Sequence, residues 1–100
     1  MDPDQFHRIT KALADPRRFE ILEHIARAGD EAACANLACG SPLSRATISH
    51  HVKELVGAGL VRVRRDAKFS FYRLQRKVWA EYMAEMRRRV TDGGHQKDAR

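Results

Sequence analysis

Ser44-Arg45-Ala46-Thr47-Ile48-Ser49-His50-His51-Val52-Lys53-Glu54-Leu55-Val56-Gly57 is the stretch whose reading decides the fold. Ile48, Val52 and Leu55 recur at i, i+4 and i+7, which places them on one buried helical face. Ser44 is a residue type that caps such a helix by accepting one of its orphan backbone N–H groups. Gly57 is expected to close the helix, which then runs from Arg45 to about Val56. Arg45, Thr47, Ser49, His50 and Lys53 are left on the outer face, so the segment buries one side and offers a polar, partly cationic surface on the other.

Upstream, Gly40-Ser41-Pro42 breaks the chain just before this helix. A first helix is read from Phe6, Ile9 and Leu13, with Pro3 in its opening turn, and it stops near Ala14. Asp15-Pro16 starts a second, with Phe19, Leu22, Ile25 and Ala26 on one face and Gly29 at its end. Asp30 is expected to cap a short third helix through Glu31, Cys34 and Leu37. Two helices joined by a short break, the second with a polar outer face, form the layout of a helix-turn-helix.

Downstream of Gly59 the period changes to two. Val61 and Val63 alternate with Arg62 and Arg64, and Tyr72 and Leu74 alternate with Phe71 and Arg73, around a turn read as Arg65-Asp66-Ala67-Lys68. A lone hairpin is marginal in water, so it must lean on the helices as a wing. A last helix, from about Gln75 to Val90, carries Trp79, Tyr82, Met83, Met86 and Val90 on one side. The fold class is therefore mainly α with a small β-hairpin, a winged helix-turn-helix of order ααααββα. Residues 1–90 form one DNA-binding and dimerisation domain, and residues 91–100 are expected to be a disordered tail.

The 100 residues suit one domain, and no run approaches the ~20 apolar residues that span a bilayer. The start Met1-Asp2-Pro3-Asp4 lacks the basic flank and apolar run of a secretory signal, which implies a cytoplasmic chain with reduced thiols. The formal charge of +6 is unevenly spread. Residues 44–89 hold 12 basic against 4 acidic side chains, whereas residues 1–43 hold 5 against 7. The basic excess falls on the second half, and it suits a polyanion, nucleic acid first and an acidic membrane surface second.

Three segments carry a family resemblance over roughly Phe6 to Val90. They are Ala12-Leu13-Ala14-Asp15-Pro16-Arg17-Arg18-Phe19-Glu20-Ile21-Leu22, the stretch Leu43 to Leu55, and Ala58-Gly59-Leu60-Val61 leading into Tyr72-Arg73-Leu74. In this order and spacing the chain resembles the ArsR/SmtB family of winged-helix repressors. The resemblance implies a homodimer through the first and last helices, which brings in Phe6, Ile9, Leu13, Trp79, Tyr82, Met83 and Met86. It also implies a double-stranded, near-palindromic operator as the partner, released by an inducing signal.

Within that frame Ser44, Arg45, Thr47, Ser49, His50 and Lys53 are the DNA-binding residues of the recognition helix, with Arg45 placed for bidentate contact with guanine. Arg64, Arg65 and Lys68 are the wing contacts, to phosphate or the minor groove. His51, turned by ~100° from His50, is read as partly structural. Ala67 departs from the glycine common at family wing tips, and alanine disfavours the positive φ of a primed two-residue turn.

The familiar metal sites of the family are not matched. Where arsenic-type members have Cys-x-Cys, this chain has Ala33-Cys34-Ala35, and Arg76 to Val90 contains no histidine. No metal and no cofactor are therefore expected. Cys34 and Cys39 remain as candidate sensor thiols; within one helix they would be ~7.5 Å apart along the axis, on different faces. The plainer reading of Cys34 is a small buried hydrophobe. An enzyme is not indicated, since there is no glycine-rich phosphate loop, Gly-x-Ser-x-Gly or His-Glu-x-x-His. The alternative function is a winged-helix interaction or RNA-binding module without operator specificity.

Overall fold

Asp2 and Asp15 start the first two helices in the same way. Each has extended backbone, is followed by a proline at the first helical position, and accepts backbone N–H groups with its carboxylate: Gln5 for Asp2, Arg17 and Arg18 for Asp15. In a computed structural model, which describes residues 1–38 and 44–92, these helices are α1 (Pro3–Leu13) and α2 (Pro16–Arg27). They are followed by β1 (Ala32–Ala33), α3 (Cys34–Ala38), α4 (Arg45–Gly57), β2 (Val61–Asp66), β3 (Phe69–Leu74) and α5 (Arg76–Arg87), which widens into a π-helical turn over Arg88–Asp92. Of the tail expected from residue 91, Thr91 and Asp92 continue this helix, and residues 93–100 lie outside the described residues.

The short strand β1 corrects the sequence reading. Glu31 to Ala33 does not open a helix capped by Asp30; instead Ala32 pairs with Tyr72 and Ala33 with Phe71, giving an antiparallel sheet of order β1-β3-β2. The alanines favour helix locally, but tertiary pairing overrides that small preference. β3 would otherwise present an unpaired edge, and Ala32 gains a buried position in the core.

A second correction concerns the end of α4. The helix includes Gly57, and the left-handed residue is Gly59, with φ of 85°. The Gly59 N–H donates to the Val56 carbonyl and the Leu60 N–H to the Leu55 carbonyl, which is a Schellman closure with Leu60 and Leu55 both fully buried. α1 supplies two further donors to this helix end, Gln5 Nε2 to the Ala58 carbonyl and Arg8 Nη1 to the Gly57 carbonyl.

The core is continuous, with Ile9, Ile25, Ile48, Leu55 and Leu60 as its most deeply buried large side chains. From the sheet, Val61, Tyr72, Leu74 and Ala32 turn inward, while Arg62, Arg64 and Arg73 are exposed. The hairpin loop is shorter than the sequence suggested. Arg65 and Asp66 belong to β2, so Ala67-Lys68 alone form the connection, and Ala67 takes φ of 54° despite its Cβ.

Candidate nucleic-acid interface

The N-terminal half of α4 is held by Ser44, whose Oγ accepts the Thr47 N–H at 3.1 Å and lies 3.0 Å from Thr47 Oγ1. Ser44 and the half-buried Thr47 therefore engage each other's polar atoms. Arg45, Ser49, His50 and Lys53 are exposed. The two adjacent histidines separate by burial: His50 faces solvent, whereas His51 is 8% exposed and its Nδ1 has no hydrogen-bond partner among the described residues. Backbone N–H groups, Arg18 foremost, hold the Asp15 carboxyl below the usual carboxylate range, and His51 adds to the effect.

The wing stands beside this helix. The buried Tyr72 hydroxyl hydrogen-bonds with Cys34 and Ser49, joining β3 to α3 and to the reading helix; burial, then the Cys34 contact, push its pKa upward. Between wing and helix lies a groove of about 270 Å³ whose lining includes Arg45, Ser49, Cys34, Lys68, Phe69 and Phe71. At the tip, Arg65 Nη1 donates to Ser70 Oγ at 2.8 Å, and the Lys68 ammonium lies 5.8 Å from the Phe69 ring centre.

Arg64 is placed differently from its neighbours. Its Nε and Nη2 each donate at 2.8 Å to one oxygen of Glu31, and its guanidinium lies 4.4 Å over the Phe71 ring. The Arg64 hydrogen bonds hold the Glu31 carboxyl below its ordinary range. Sequence reasoning missed Glu31, together with Gln5 and Arg8. The local sequence carries no signal for any of them, because each acts on a residue more than 30 positions away.

The residues expected at a dimer interface divide into two sets. Phe6, Ile9 and Tyr82 are buried within the chain itself, α1 against α5, with Phe6 and Tyr82 rings 5.2 Å apart and Thr10 Oγ1 at 2.8 Å from the Tyr82 hydroxyl. These three side chains have no surface left for a partner. Leu13, Trp79 and Met86 are half-buried, and Met83 and Val90 are exposed at 41% and 70%.

Cys34 is half-buried with a free thiol, and Cys39 lies outside the described residues. Among the described residues no three His, Cys, Asp or Glu side chains gather where they could hold a metal ion. Nor is any described helix long and apolar enough to cross a membrane.

A helix-turn-helix domain family model matches residues 13–64, which spans α2 to α4 and the start of the wing. The chain is 36% identical over 74 residues to the arsenical resistance operon repressor of Staphylococcus xylosus, covering 74% of this chain and 69% of that one. This chain belongs to the ArsR family of winged helix-turn-helix transcriptional repressors. It is accordingly a DNA-binding transcriptional regulator and not an enzyme.

Solved structures agree with the family and the fold. An ArsR-like transcriptional regulator from Rhodococcus superposes with a TM-score of 0.75 at 26% identity, covering 90% of this chain and 82% of that one. A homodimeric winged helix-turn-helix DNA-binding domain from Mycobacterium bovis gives 0.66 at 27% identity, covering 97% and 89%. Some relatives are longer: the chain spans 30% of a Mycobacterium tuberculosis regulator to which it is 35% identical.

Proposed function

We propose that this ArsR-family chain acts in the cytoplasm as a homodimeric repressor, placing α4 of each protomer in the major groove of a near-palindromic operator. The observation that carries this reading is the capped N-terminal half of α4, from which Arg45, Ser49, His50 and Lys53 project to solvent beside the wing cations Arg65 and Lys68. The exposed set Leu13, Trp79, Met83, Met86 and Val90 supplies the apolar face for a second copy. Two recognition helices would then read half-sites about one helical turn, ~34 Å, apart.

Selection of bound fragments from random duplex DNA by the purified protein tests the reading. Arg45→Ala is expected to relax base preference at one position of each half-site, by about 1–3 kcal/mol. Lys68→Ala is expected to weaken all duplexes alike. Unchanged selectivity in Arg45→Ala would remove the proposed reading face.

For the inducing signal, the contact of Tyr72 with both Cys34 and Ser49 favours thiol oxidation. Peroxide would convert the Cys34 thiol to a sulfenic acid with release of water, altering a contact that reaches the recognition helix. Operator affinity that is the same before and after peroxide treatment of the wild type would exclude this signal.

A further inference from the structure

The sheet order places β3 between β1 and β2, and one side-chain pair bridges the two outer strands. Arg64 lies on β2 opposite Phe71 of β3, which in turn pairs with Ala33 of β1. Glu31 directly precedes β1 and takes the Arg64 guanidinium with both carboxylate oxygens, over the face of Phe71. The fork thus crosses the central strand and ties the far strand of the wing to the body of the domain. β1 contributes only two residues of backbone pairing, so little else fixes the hairpin on this side.

The neighbouring cations are arranged otherwise. Arg65 donates to a neutral hydroxyl, and Lys68 sits at the two-residue tip; neither has a recorded carboxylate partner among the described residues. Of the three basic residues expected to touch DNA on the wing, one is therefore engaged inside the protein and two are at its end.

We propose that Glu31 and Arg64 form a strut that sets the tilt of the wing, so that Arg64 is a positioning residue for Arg65 and Lys68 and not itself a phosphate contact. The proposal rests on the DNA-binding reading above. A strut and a contact make opposite demands on chemistry. A phosphate contact needs only a positive charge, which lysine supplies, whereas a strut needs the planar two-pronged donor, which lysine lacks.

The test uses the full chain and a duplex recovered by selection on the wild-type protein. Arg64→Lys and Arg64→Ala are each expected to weaken binding about fivefold, with the slope of log affinity against log salt unchanged. A lost phosphate contact would instead reduce that slope by about 0.9. Arg64→Glu should bind weakly, and the charge swap Glu31→Arg with Arg64→Glu should return to within about twofold of the wild type if the pair acts through mutual contact. Wild-type affinity in Arg64→Lys, a slope reduced by one phosphate in Arg64→Ala, or a swap as weak as Arg64→Glu would each overturn the strut. Amide exchange at Ala33 and Phe71, read without DNA, is expected to quicken in Glu31→Gln, and unchanged exchange would also overturn it. A wild-type protein that recovers no duplex would refute the DNA-binding reading while leaving the exchange result to report on the pair.

Discussion

Gly59→Ala tests the corner that joins the reading helix to the wing. Gly59 has φ of 85°, and an added Cβ would stand 2.6 Å from Gln5 Nε2, closer than such contacts occur. Two penalties combine. Left-handed backbone costs an L-residue about 1–2 kcal/mol, and displacing Gln5 sacrifices its hydrogen bond to the Ala58 carbonyl, about 0.5–1.5 kcal/mol. Reduced freedom of the unfolded chain returns about 0.4–1 kcal/mol, which leaves a net loss of roughly 1–3 kcal/mol. For a domain of this size that lowers the melting temperature by about 5–15 °C. Gly29→Ala is the control, since Gly29 has the same φ of 85° and nothing within 4 Å of its added Cβ. Thermal denaturation at one fixed protein concentration should rank wild type above Gly29→Ala, and Gly29→Ala above Gly59→Ala. Adding Gln5→Ala to Gly59→Ala should worsen stability by less than Gln5→Ala does alone, because the clash is gone. If Gly59→Ala were no less stable than Gly29→Ala, the argument from the Gln5 contact would be refuted.

Met83→Asp places a charge at the centre of the exposed apolar set on α5; sedimentation should show the dimer dissociation constant raised at least about tenfold, and an unchanged constant would move the interface elsewhere. Glu85 is held down to about 2 by hydrogen bonds from Arg88 and then Arg89. Because its folded value is depressed, its stabilisation is present above its ordinary value of 4.5 and is lost as pH falls toward 2. An NMR titration of the Glu85 carboxyl should find its midpoint far below that ordinary value, and a midpoint near 4.5 would dismiss the pairing.

What was legible in the sequence was what is decided locally. Asp15-Pro16 and Ser44 announce helix starts because a cap acts within three residues, and both caps form as read. The burial of Ile48, Val52 and Leu55 follows from helical spacing, and with it the outward direction of Arg45, Ser49 and His50. β1 was not legible, since Ala32 and Ala33 are strand only through partners some 40 positions away. The choice between Gly57 and Gly59 depends on which following residue reaches the core, and Leu60 after Gly59 was the available signal. Periodicity found the apolar faces of α1 and α5, yet spacing alone does not say what covers a face; here Phe6, Ile9 and Tyr82 are covered by their own chain. Arg64 could be read as a basic wing residue, but its carboxylate partner is 33 positions earlier.

The basic excess of the second half is sorted by these contacts into two groups with different consequences. Arg64 is held by Glu31, Arg88 and Arg89 by Glu85, while Arg73 and Arg76 donate to backbone carbonyls of Asp30 and Ala26. Paired charges of this kind add little to the field at a distance, because each carboxylate offsets a guanidinium within 3 Å. Arg45, Lys53, Arg65 and Lys68 remain on the reading helix and the wing, exposed and without a recorded ion-pair partner among the described residues. Four such cations per protomer imply about eight phosphates neutralised by a dimer, and a salt slope near −7. If all 12 basic residues of the segment took part in each protomer, the slope would approach −20. Affinity measured across salt concentrations therefore distinguishes a few placed charges from a diffuse positive surface. A slope well beyond −10 would mean that the internal pairs open on DNA and that the strut at Arg64 does not hold.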